Sequence, residues 1–367
     1  MHVLALSPFH GGSHRAFLDG WVAHSRHRFT IESLPAYKWK WRMRHAPIAF
    51  ANRVIQRLRD GERFDALFCT DMLNLPEFLG LCEFVQLIKG LSIPKVVYFH
   101  ENQLTYPVQE EDPRDLHFAF TNFTTALAAD QVWFNSDFHR TEFTTALRQW
   151  FKRLPDFQPL EAVDQIESKS AILPPGVEEV PVRQARQPGP LHIVWASRWE
   201  HDKGPDDFFA ALARLQDGQV DFRVSVVGES FENSPSCFAT AKKQFASQIS
   251  QWGYMQSRDD YQRLLQTADV IVSAARHEFF GIAVVEAVAA GCFPVIPRRL
   301  AYPEVLRNHE PFFYDGTVNG LAARLEKLAA DPEAIWNGDP HIGRKLVERF
   351  VWPNVAQQMD DRLECAT

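Results

Sequence analysis

The sequence predicts an α/β protein with two parallel β-sheets, one in each of two domains. The chain has 367 residues, more than one hydrophobic core usually holds. Short apolar runs alternate with helical patterns, which is typical of parallel sheets. A stretch rich in proline and glycine, Pro174–Pro190, separates two sets of runs and suits a linker. We therefore expect a first domain at residues 1–185, a second at 186–350, and a terminal helix at 351–367 that can cross back to the first domain.

The predicted strands share a short, apolar and often β-branched composition, as buried parallel strands do. They are Val3–Leu6, Ala66–Thr70, Lys95–Phe99, Gln131–Phe134, Ala171–Leu173, Leu191–Ser197, Phe222–Val227 and Val270–Ser273. Helical patterns follow several of them, including Ile282–Gly291 after the last one. The loops between strand and helix should therefore lie at the carboxyl edges of the sheets, where open α/β sheets bind ligands.

Composition excludes several classes of protein. A net charge of −7 gives no global attraction to nucleic acid or anionic lipid, so contact with a polyanion needs a local patch. The five cysteines are scattered and contain no Cys-x-x-Cys pair, which favours a reducing compartment and no structural zinc. No basic segment leads into an apolar stretch at the start, and no apolar run is long enough to span a membrane. We expect a soluble cytoplasmic protein without membrane contact and without an implied protein partner.

Two carboxylates mark the strand-to-helix junction of the second domain. Glu278 should lie in the loop, and Glu286 about two turns into the following helix. The backbone N–H groups of Phe280, Gly281 and Ile282 would open that helix toward a bound anion, with glycine allowing close approach. This pattern is typical of a nucleotide-sugar site. The alternative is an ordinary helix with two solvated acids.

Arg198 and Lys203 lie in the loop after an earlier strand of the same domain. The guanidinium can bind an anion as a fork and the ammonium as a point charge. A pyrophosphate leaving group needs such neutralisation if no metal supplies it. A solvated loop with incidental charge is the alternative, and the acids downstream favour the anion site.

Two loops of the first domain carry candidate polar groups. Gly11 and Gly12 follow the first strand and would let the backbone approach a phosphate or sugar. The same loop contains the pattern His-x-x-x-His at His10 and His14, but without a helix or an adjacent glutamate, so we do not expect zinc there. His100 begins a polar cluster after another strand. A histidine satisfied by backbone partners is the alternative for it.

A basic-aromatic segment runs from Tyr37 to Arg59, with seven Lys or Arg residues and no acid. Cations alternating with aromatic rings attract phosphates and provide stacking surfaces. The four cations at its start are Lys38, Lys40, Arg42 and Arg44. The alternative is a solvated helix face whose tryptophans belong to the core.

Together these motifs resemble the retaining family 4 glycosyltransferases of GT-B fold, over nearly the whole chain. Within that family they are more specifically similar to the tRNA-queuosine alpha-mannosyltransferases. The strings that carry this resemblance are Gly-Gly-Ser-His at 11–14, Lys-Trp-Lys-Trp-Arg at 38–42, Tyr-Phe-His-Glu-Asn-Gln-Leu at 98–104, Arg-Trp-Glu-His-Asp-Lys at 198–203 and His-Glu-Phe-Phe-Gly at 277–281. The spacing of Glu278 and Glu286 is specific only to the superfamily.

The resemblance implies two Rossmann-like domains facing across a cleft, the first for the acceptor and the second for the donor. GDP-mannose is the implied donor, the cyclopentenediol of queuosine in tRNA the implied acceptor, and no cofactor or metal is required. The implied catalytic residues are His100, Glu278, Arg198 and Lys203. The implied donor-binding residues are Gly11, Gly12, Arg198, Lys203, Glu278, Phe280, Gly281, Ile282 and Glu286. The implied acceptor-binding residues are Ser13, His14, Lys38, Lys40, Arg42, Arg44, Glu101, Asn102 and Gln103.

Two other functions stay open at this point. One is a family 4 glycosyltransferase that acts on a small-molecule or glycan acceptor. The other is a module that binds nucleotide or RNA without catalysis. Binding of tRNA would argue against the first alternative, and turnover of a sugar donor would argue against the second.

Overall fold

In the computed structural model the chain folds into two compact α/β units. The structure describes residues 1–83, 93–107, 115–183, 185–231 and 233–365. The first unit comprises Met1–Gly176 and Trp352–Thr367, and the second comprises Val177–Val351. Each unit contains one six-stranded parallel sheet, so the predicted α/β class with two parallel sheets is confirmed.

The first unit has the strand order β2-β1-β3-β4-β5-β6. Its strands are β1 (His2–His10), β2 (Arg28–Pro35), β3 (Ala66–Thr70), β4 (Lys95–Phe99), β5 (Gln131–Phe134) and β6 (Ser170–Ile172). Its helices up to the linker are α1 (Gly12–His24), α2 (Trp39–Arg59), α3 (Leu75–Glu83), α4 (Leu116–Ala128), α5 (Asp137–Phe151) and α6 (Leu160–Ser168). Because β1, β3 and β4 are neighbours, the residues that follow them lie along one edge of the sheet.

The second unit has the strand order β12-β11-β10-β7-β8-β9. Its strands are β7 (Leu191–Ala196), β8 (Phe222–Val227), β9 (Ile249–Gly253), β10 (Val270–Val272), β11 (Phe293–Pro297) and β12 (Phe313–Tyr314). Its helices are α7 (Pro205–Asp217), α8 (Cys237–Gln244), α9 (Arg258–Thr267), α10 (Ile282–Ala290), α11 (Tyr302–Val305), α12 (Val318–Ala330) and α13 (His341–Val347). Helix α14 (Trp352–Glu364) returns to the first unit.

Side chains of the first sheet pack on both of its faces. Leu67 and Cys69 of β3 belong to one buried cluster, whereas Ala66 and Phe68 belong to another. This alternation follows from the two-residue period of a strand. A sheet covered on both faces explains why its strands read as continuous apolar runs.

Four strands were not predicted, namely β2, β9, β11 and β12. Within the described part of the chain, strand β2 pairs only with β1. It mixes exposed with buried residues, so it lacks the apolar run of a central strand. Prolines at both ends of the Pro-Val-Ile-Pro sequence in β11 remove ladder donors and conceal that strand. The first strand is also longer than the predicted Val3–Leu6, because pairing with β2 continues to His10 after a register shift.

The first unit ends at Gly176, and the predicted boundary at residue 185 lies inside the second unit. The segment after Gly176 is tied to the second unit by hydrogen bonds. The Val177 N–H donates to Phe350 O (2.8 Å), and Arg183 forms a buried ion pair with Asp269 (3.0 Å). Among the described residues, no helix is long and apolar enough to cross a membrane.

Candidate active-site residues

Glu278 lies in the loop between β10 and α10, at the carboxyl edge of the second sheet. One carboxylate oxygen accepts the N–H groups of Phe279 (3.2 Å) and Phe280 (3.4 Å), and the other lies 3.4 Å from Lys203 Nζ. Burial alone would raise the pKa of Glu278, but Lys203 and the backbone donor outweigh it and hold the pKa below its usual value. Glu278 is therefore an ionised carboxylate with its orientation fixed.

Lys203 is 9% exposed, and its ammonium group lies among oxygen atoms of neighbouring residues. Its Nζ lies 3.1 Å from Asp202 Oδ2 and donates to His277 O (3.0 Å), besides its contact with Glu278. Arg198, in the same loop, has a side chain 45% exposed and pairs with Glu200 (3.1 Å). The structure thus brings Lys203 together with Glu278, while Arg198 presents a guanidinium nearer to solvent.

Two glycines hold the loops of this edge in place. Gly204 has a φ of 64°, and a Cβ there would lie 2.2 Å from Ala274 O. Gly281 has a φ of 93°, and a Cβ there would lie 2.8 Å from the Tyr302 ring. Both positions require glycine. Tyr302, whose hydroxyl hydrogen-bonds to Ser273 Oγ (2.7 Å), supports the loop and was missed because nothing in the sequence places it there.

Glu286 lies on α10, is 8% exposed and forms an ion pair with Arg258. The Arg258 guanidinium also stacks on the Tyr261 ring at 5.4 Å. Sequence reasoning missed Arg258, which begins helix α9. Because Arg258 neutralises Glu286, ribose hydroxyls would have to share this carboxylate with it.

The expected anion-binding N–H groups of α10 are only partly available. Phe280 N–H donates to Glu278. Gly281 caps the helix, and its carbonyl accepts from Val284 (3.0 Å) and Val285 (3.1 Å). Ile282 begins the helix. Beside this loop, burial, followed by the charge of Lys203, lowers the pKa of His277 to about 4.

Gly11 and Gly12 join β1 to α1 in the first unit. A Cβ on Gly11 would lie 2.3 Å from Ala36 Cβ, so this glycine allows a close backbone approach. Gly12 has a φ of 52° with open space at its Cβ position, and both it and Ser13 are exposed. Gly12 is the better placed of the two to approach a ligand.

His100 follows β4 and lies in a group of three histidines. Its ring centroid is 4.1 Å from that of His14. Burial lowers the pKa of His100 well below its usual value, and the charges of His14 and His139 lower it further. His100 is therefore a neutral imidazole, and its buried Nε2 is left without a hydrogen-bond partner by the described residues.

The loop after His100 contains two of the predicted acceptor residues as internal supports. Asn102 is fully buried, and its Oδ1 accepts the N–H groups of Leu104 (3.1 Å) and Thr105 (2.9 Å). The Gln103 side chain donates to Glu101 (3.2 Å). Glu101 is partly exposed. This geometry gives Asn102 a loop-shaping role, and Glu101 is the better candidate for contact with an acceptor.

Asp71 is a buried carboxyl group that the sequence did not single out. It follows β3, is 0% exposed, and its Oδ1 accepts the His100 N–H (3.0 Å). Burial raises the pKa of the Asp71 carboxyl well above its usual value, and the charge of Glu101 raises it further. The second oxygen, Oδ2, has no hydrogen-bond partner in the described part of the chain.

The basic-aromatic segment forms helix α2 and the two residues before it, and four of its cations lie at or just before the start of the helix. Lys38, Lys40 and Arg44 are exposed, and Arg42 is partly exposed. The Trp41 side chain is 62% exposed. Arg44 lies over the Phe118 ring at 4.9 Å and contacts His117 Nε2 at 2.6 Å. Cations and an aromatic ring therefore share one surface.

Two of the three later cations of the segment are neutralised. Arg53 and Arg57 pair with Glu32 on β2 at 3.2 and 2.6 Å. The segment Tyr37–Arg59 contains no acid, but Glu32 on the neighbouring strand β2 supplies one, and the sequence pattern alone does not show this. Among the described residues, no group of three or more His, Cys, Asp or Glu side chains is arranged to hold a metal ion.

Comparison with known proteins agrees with this architecture. A family model described as tRNA-queuosine alpha-mannosyltransferase N-terminal matches residues 2–177, and one described as Glycosyl transferases group 1 matches residues 177–336. A tRNA-queuosine alpha-mannosyltransferase of Drosophila melanogaster is 35% identical over 372 residues, covering 95% of each chain. A GDP-mannose-dependent alpha-(1-6)-phosphatidylinositol dimannoside mannosyltransferase of Mycobacterium tuberculosis is 27% identical over 172 residues, covering 47% of this chain and 43% of its own.

The fold is also similar to solved structures. A sucrose-phosphate synthase from Thermosynechococcus elongatus matches with a TM-score of 0.74 and 17% identity, covering 100% of both chains. The resemblance drawn from the sequence motifs is thereby confirmed. The chain is a glycosyltransferase of GT-B fold and belongs to the tRNA-queuosine alpha-mannosyltransferase family.

Proposed function

We propose that this enzyme transfers mannose from GDP-mannose to the cyclopentenediol of queuosine in tRNA, with retention of configuration. The observation that carries the proposal is the 35% identity to the Drosophila melanogaster enzyme over 95% of both chains. That similarity extends through both units, so it includes the acceptor half as well as the donor half. The dependence of the Mycobacterium tuberculosis relative on GDP-mannose supports the choice of donor.

Arg198 and Lys203 are proposed to hold the diphosphate and to stabilise it as it leaves the anomeric carbon. Glu278 would accept hydrogen bonds from sugar hydroxyls, and Glu286 from ribose hydroxyls. The acceptor hydroxyl attacks the same face of the sugar that the diphosphate leaves, which retains configuration. His100 would bind the transferred sugar through its unpartnered ring nitrogen.

The acceptor side of the proposal rests on the first unit. The cations at the start of α2 are proposed to contact the tRNA backbone, because exposed Lys and Arg residues attract phosphates. Exposed Trp41 beside them offers a stacking surface for a base. Glu101 would contact the modified nucleoside.

The test uses purified enzyme, GDP-mannose, and matched tRNA with and without queuosine, followed by mass spectrometry of the nucleosides. We expect a hexose only on queuosine. Transfer to unmodified tRNA, or binding of GDP-mannose without transfer to either tRNA, would refute the acceptor. Transfer to a small glycan would instead favour the small-molecule alternative, and donor binding without any turnover would favour the non-catalytic one.

Independence from metal is part of the same proposal. The two cations can neutralise the diphosphate without a divalent ion. Activity is expected to survive EDTA, and a loss that magnesium or manganese restores would refute this point. We also propose a cytoplasmic location, because the five cysteines are scattered along the chain without a Cys-x-x-Cys pair, which favours a reducing compartment; fractionation of cells that express the protein tests it.

A further inference from the structure

Asp71 is a costly feature of the first unit. Its side chain is fully buried, yet within the described part of the chain it forms no ion pair, and Oδ2 has no hydrogen-bond partner. A buried carboxylate without a partner loses its hydration and gains little in return. The hydrogen bond in which Oδ1 accepts the His100 N–H does not require a carboxylate, because the oxygen of a neutral amide could accept it equally well.

A second carboxylate lies near the first. Glu101 is close enough for its charge to raise the pKa of Asp71. Two nearby acids disfavour each other's ionised forms, and a cation placed between them would relieve that repulsion. Because Glu101 is partly exposed, it gives the pair a face that a ligand can reach.

The surface proposed for tRNA lies beside this pair. Met72, the residue after Asp71, packs in a small apolar cluster with Met43 of α2 and Phe118 of α4, and Trp39 packs against it. The same Phe118 ring lies beneath Arg44. A nucleoside whose backbone is held by the cations of α2 would therefore enter close to Asp71.

The inference rests on the proposed function, in which queuosine is the acceptor. Queuosine carries a secondary amine between its cyclopentenediol and its 7-deazaguanine ring. Such an aliphatic amine is protonated at neutral pH and has two N–H donors. We propose that Asp71, together with Glu101, binds this ammonium group of the acceptor and so distinguishes queuosine from an unmodified guanosine.

The test compares Asp71→Asn with the wild-type enzyme. Asparagine keeps an oxygen for the His100 N–H but removes the charge, so the variant should raise the KM for queuosine-containing tRNA roughly 10- to 100-fold. Since the amine does not react, kcat should change little. The matched control is Asp130→Asn, because Asp130 also accepts a backbone N–H, that of Lys95 (2.8 Å), but precedes β5 at the opposite edge of the sheet.

Two measurements separate this role from a purely structural one. The melting temperature of Asp71→Asn should stay close to that of the wild type, because asparagine has nearly the same shape and keeps the oxygen that accepts the His100 N–H. Its affinity for GDP, which binds the other unit, should equal that of the wild type. A lower melting temperature with weaker GDP binding, or a KM for tRNA equal to that of the wild type, would overturn the assignment.

A binding experiment without turnover isolates the amine. Wild-type enzyme should bind tRNA whose 7-deazaguanine carries only an aminomethyl group more tightly than the same tRNA with guanosine, and Asp71→Asn should abolish that preference. Equal binding of the two tRNAs by the wild type would overturn the inference even if mannose transfer occurs. Failure of the wild type to mannosylate queuosine would instead refute the proposed function.

Discussion

The contacts of Lys203 support the role proposed for Glu278. Lys203 is almost fully buried, and Asp202 and Glu278 compensate for the hydration that its ammonium group gives up. A carboxylate repels phosphate but accepts hydrogen bonds from hydroxyls. Glu278 is therefore suited to the sugar, and Lys203 can bridge between this carboxylate and the diphosphate.

Removal of either donor-site cation is expected to weaken GDP binding. Arg198→Ala and Lys203→Ala should each cost about 1.5–3 kcal/mol in binding GDP and GDP-mannose, because each removes a charge-assisted contact to phosphate. Isothermal titration calorimetry measures this directly. Arg276→Ala is the control, since Arg276 pairs with Asp207 and is 53% exposed. Unchanged GDP affinity in both variants would show that the diphosphate assignment is wrong.

The two acids should give different phenotypes. Glu278→Gln should leave GDP affinity intact and lower turnover, because the amide no longer offers two acceptor oxygens to the sugar. Glu286→Ala should weaken GDP binding itself through removal of the ribose contact, by about 1–3 kcal/mol. Calorimetry with GDP and steady-state kinetics on each variant check this. If both variants behave alike, the separation of sugar and ribose roles fails.

At the scale of elements, α2 divides into two parts with different electrostatic partners. The later arginines, Arg53 and Arg57, pair with Glu32 and fasten the helix to β2. The cations from Lys38 to Arg44 instead lie beside aromatic rings, of which Tyr37 and Trp41 are exposed. Only this first part has the character of a surface for nucleic acid, which is why a protein with a net charge of −7 can still bind tRNA locally.

Replacement of Lys38, Lys40, Arg42 and Arg44 with glutamine should weaken tRNA binding and flatten its salt dependence. For each phosphate that the variant no longer neutralises, the slope of log affinity against log salt should fall in magnitude by roughly 0.7–0.9. Binding titrations at several salt concentrations measure the slope. Lys242 and Lys243, exposed on α8, are the control pair for glutamine substitution. An unchanged slope, or an equally weakened binding in the control, would remove α2 from the interface.

The sequence predicts elements well where one signal dominates. Strands β3, β4, β5 and β8 have the predicted bounds, because buried parallel strands are uninterrupted apolar runs. The edge strand β2 escapes that rule. Site residues follow the same logic: Glu278 is recognisable from its motif, whereas Asp71 and Arg258 are ordinary in the sequence, and only the packing of their neighbours shows that they are buried or paired.

At the scale of the whole molecule, the end of the chain completes the core of the first unit. Helix α14 packs against α1, and the Trp352 ring occupies the space where side chains at Gly20 and Gly176 would otherwise lie. Asp360 is 1% exposed and accepts hydrogen bonds from Trp21 Nε1 (2.8 Å) and from the Arg26 N–H (2.8 Å). The core of the first unit therefore includes a helix that follows the whole of the second unit in sequence.

Asp360→Ala is expected to destabilise the first unit by about 3–5 kcal/mol, because it leaves the donors of Trp21, Ser25 and Arg26 without their carboxylate partner. Urea unfolding measures this destabilisation. The neighbouring Asp361, an exposed partner of Arg26 (2.8 Å), is the matched control, and Asp361→Ala should cost less than about 1 kcal/mol. GDP affinity of the folded Asp360→Ala protein should equal that of the wild type, since the proposed nucleotide site lies in the second unit. If the two alanine variants unfold at the same urea concentration, the contacts of α14 do not stabilise the first unit in the way that its buried carboxylate indicates.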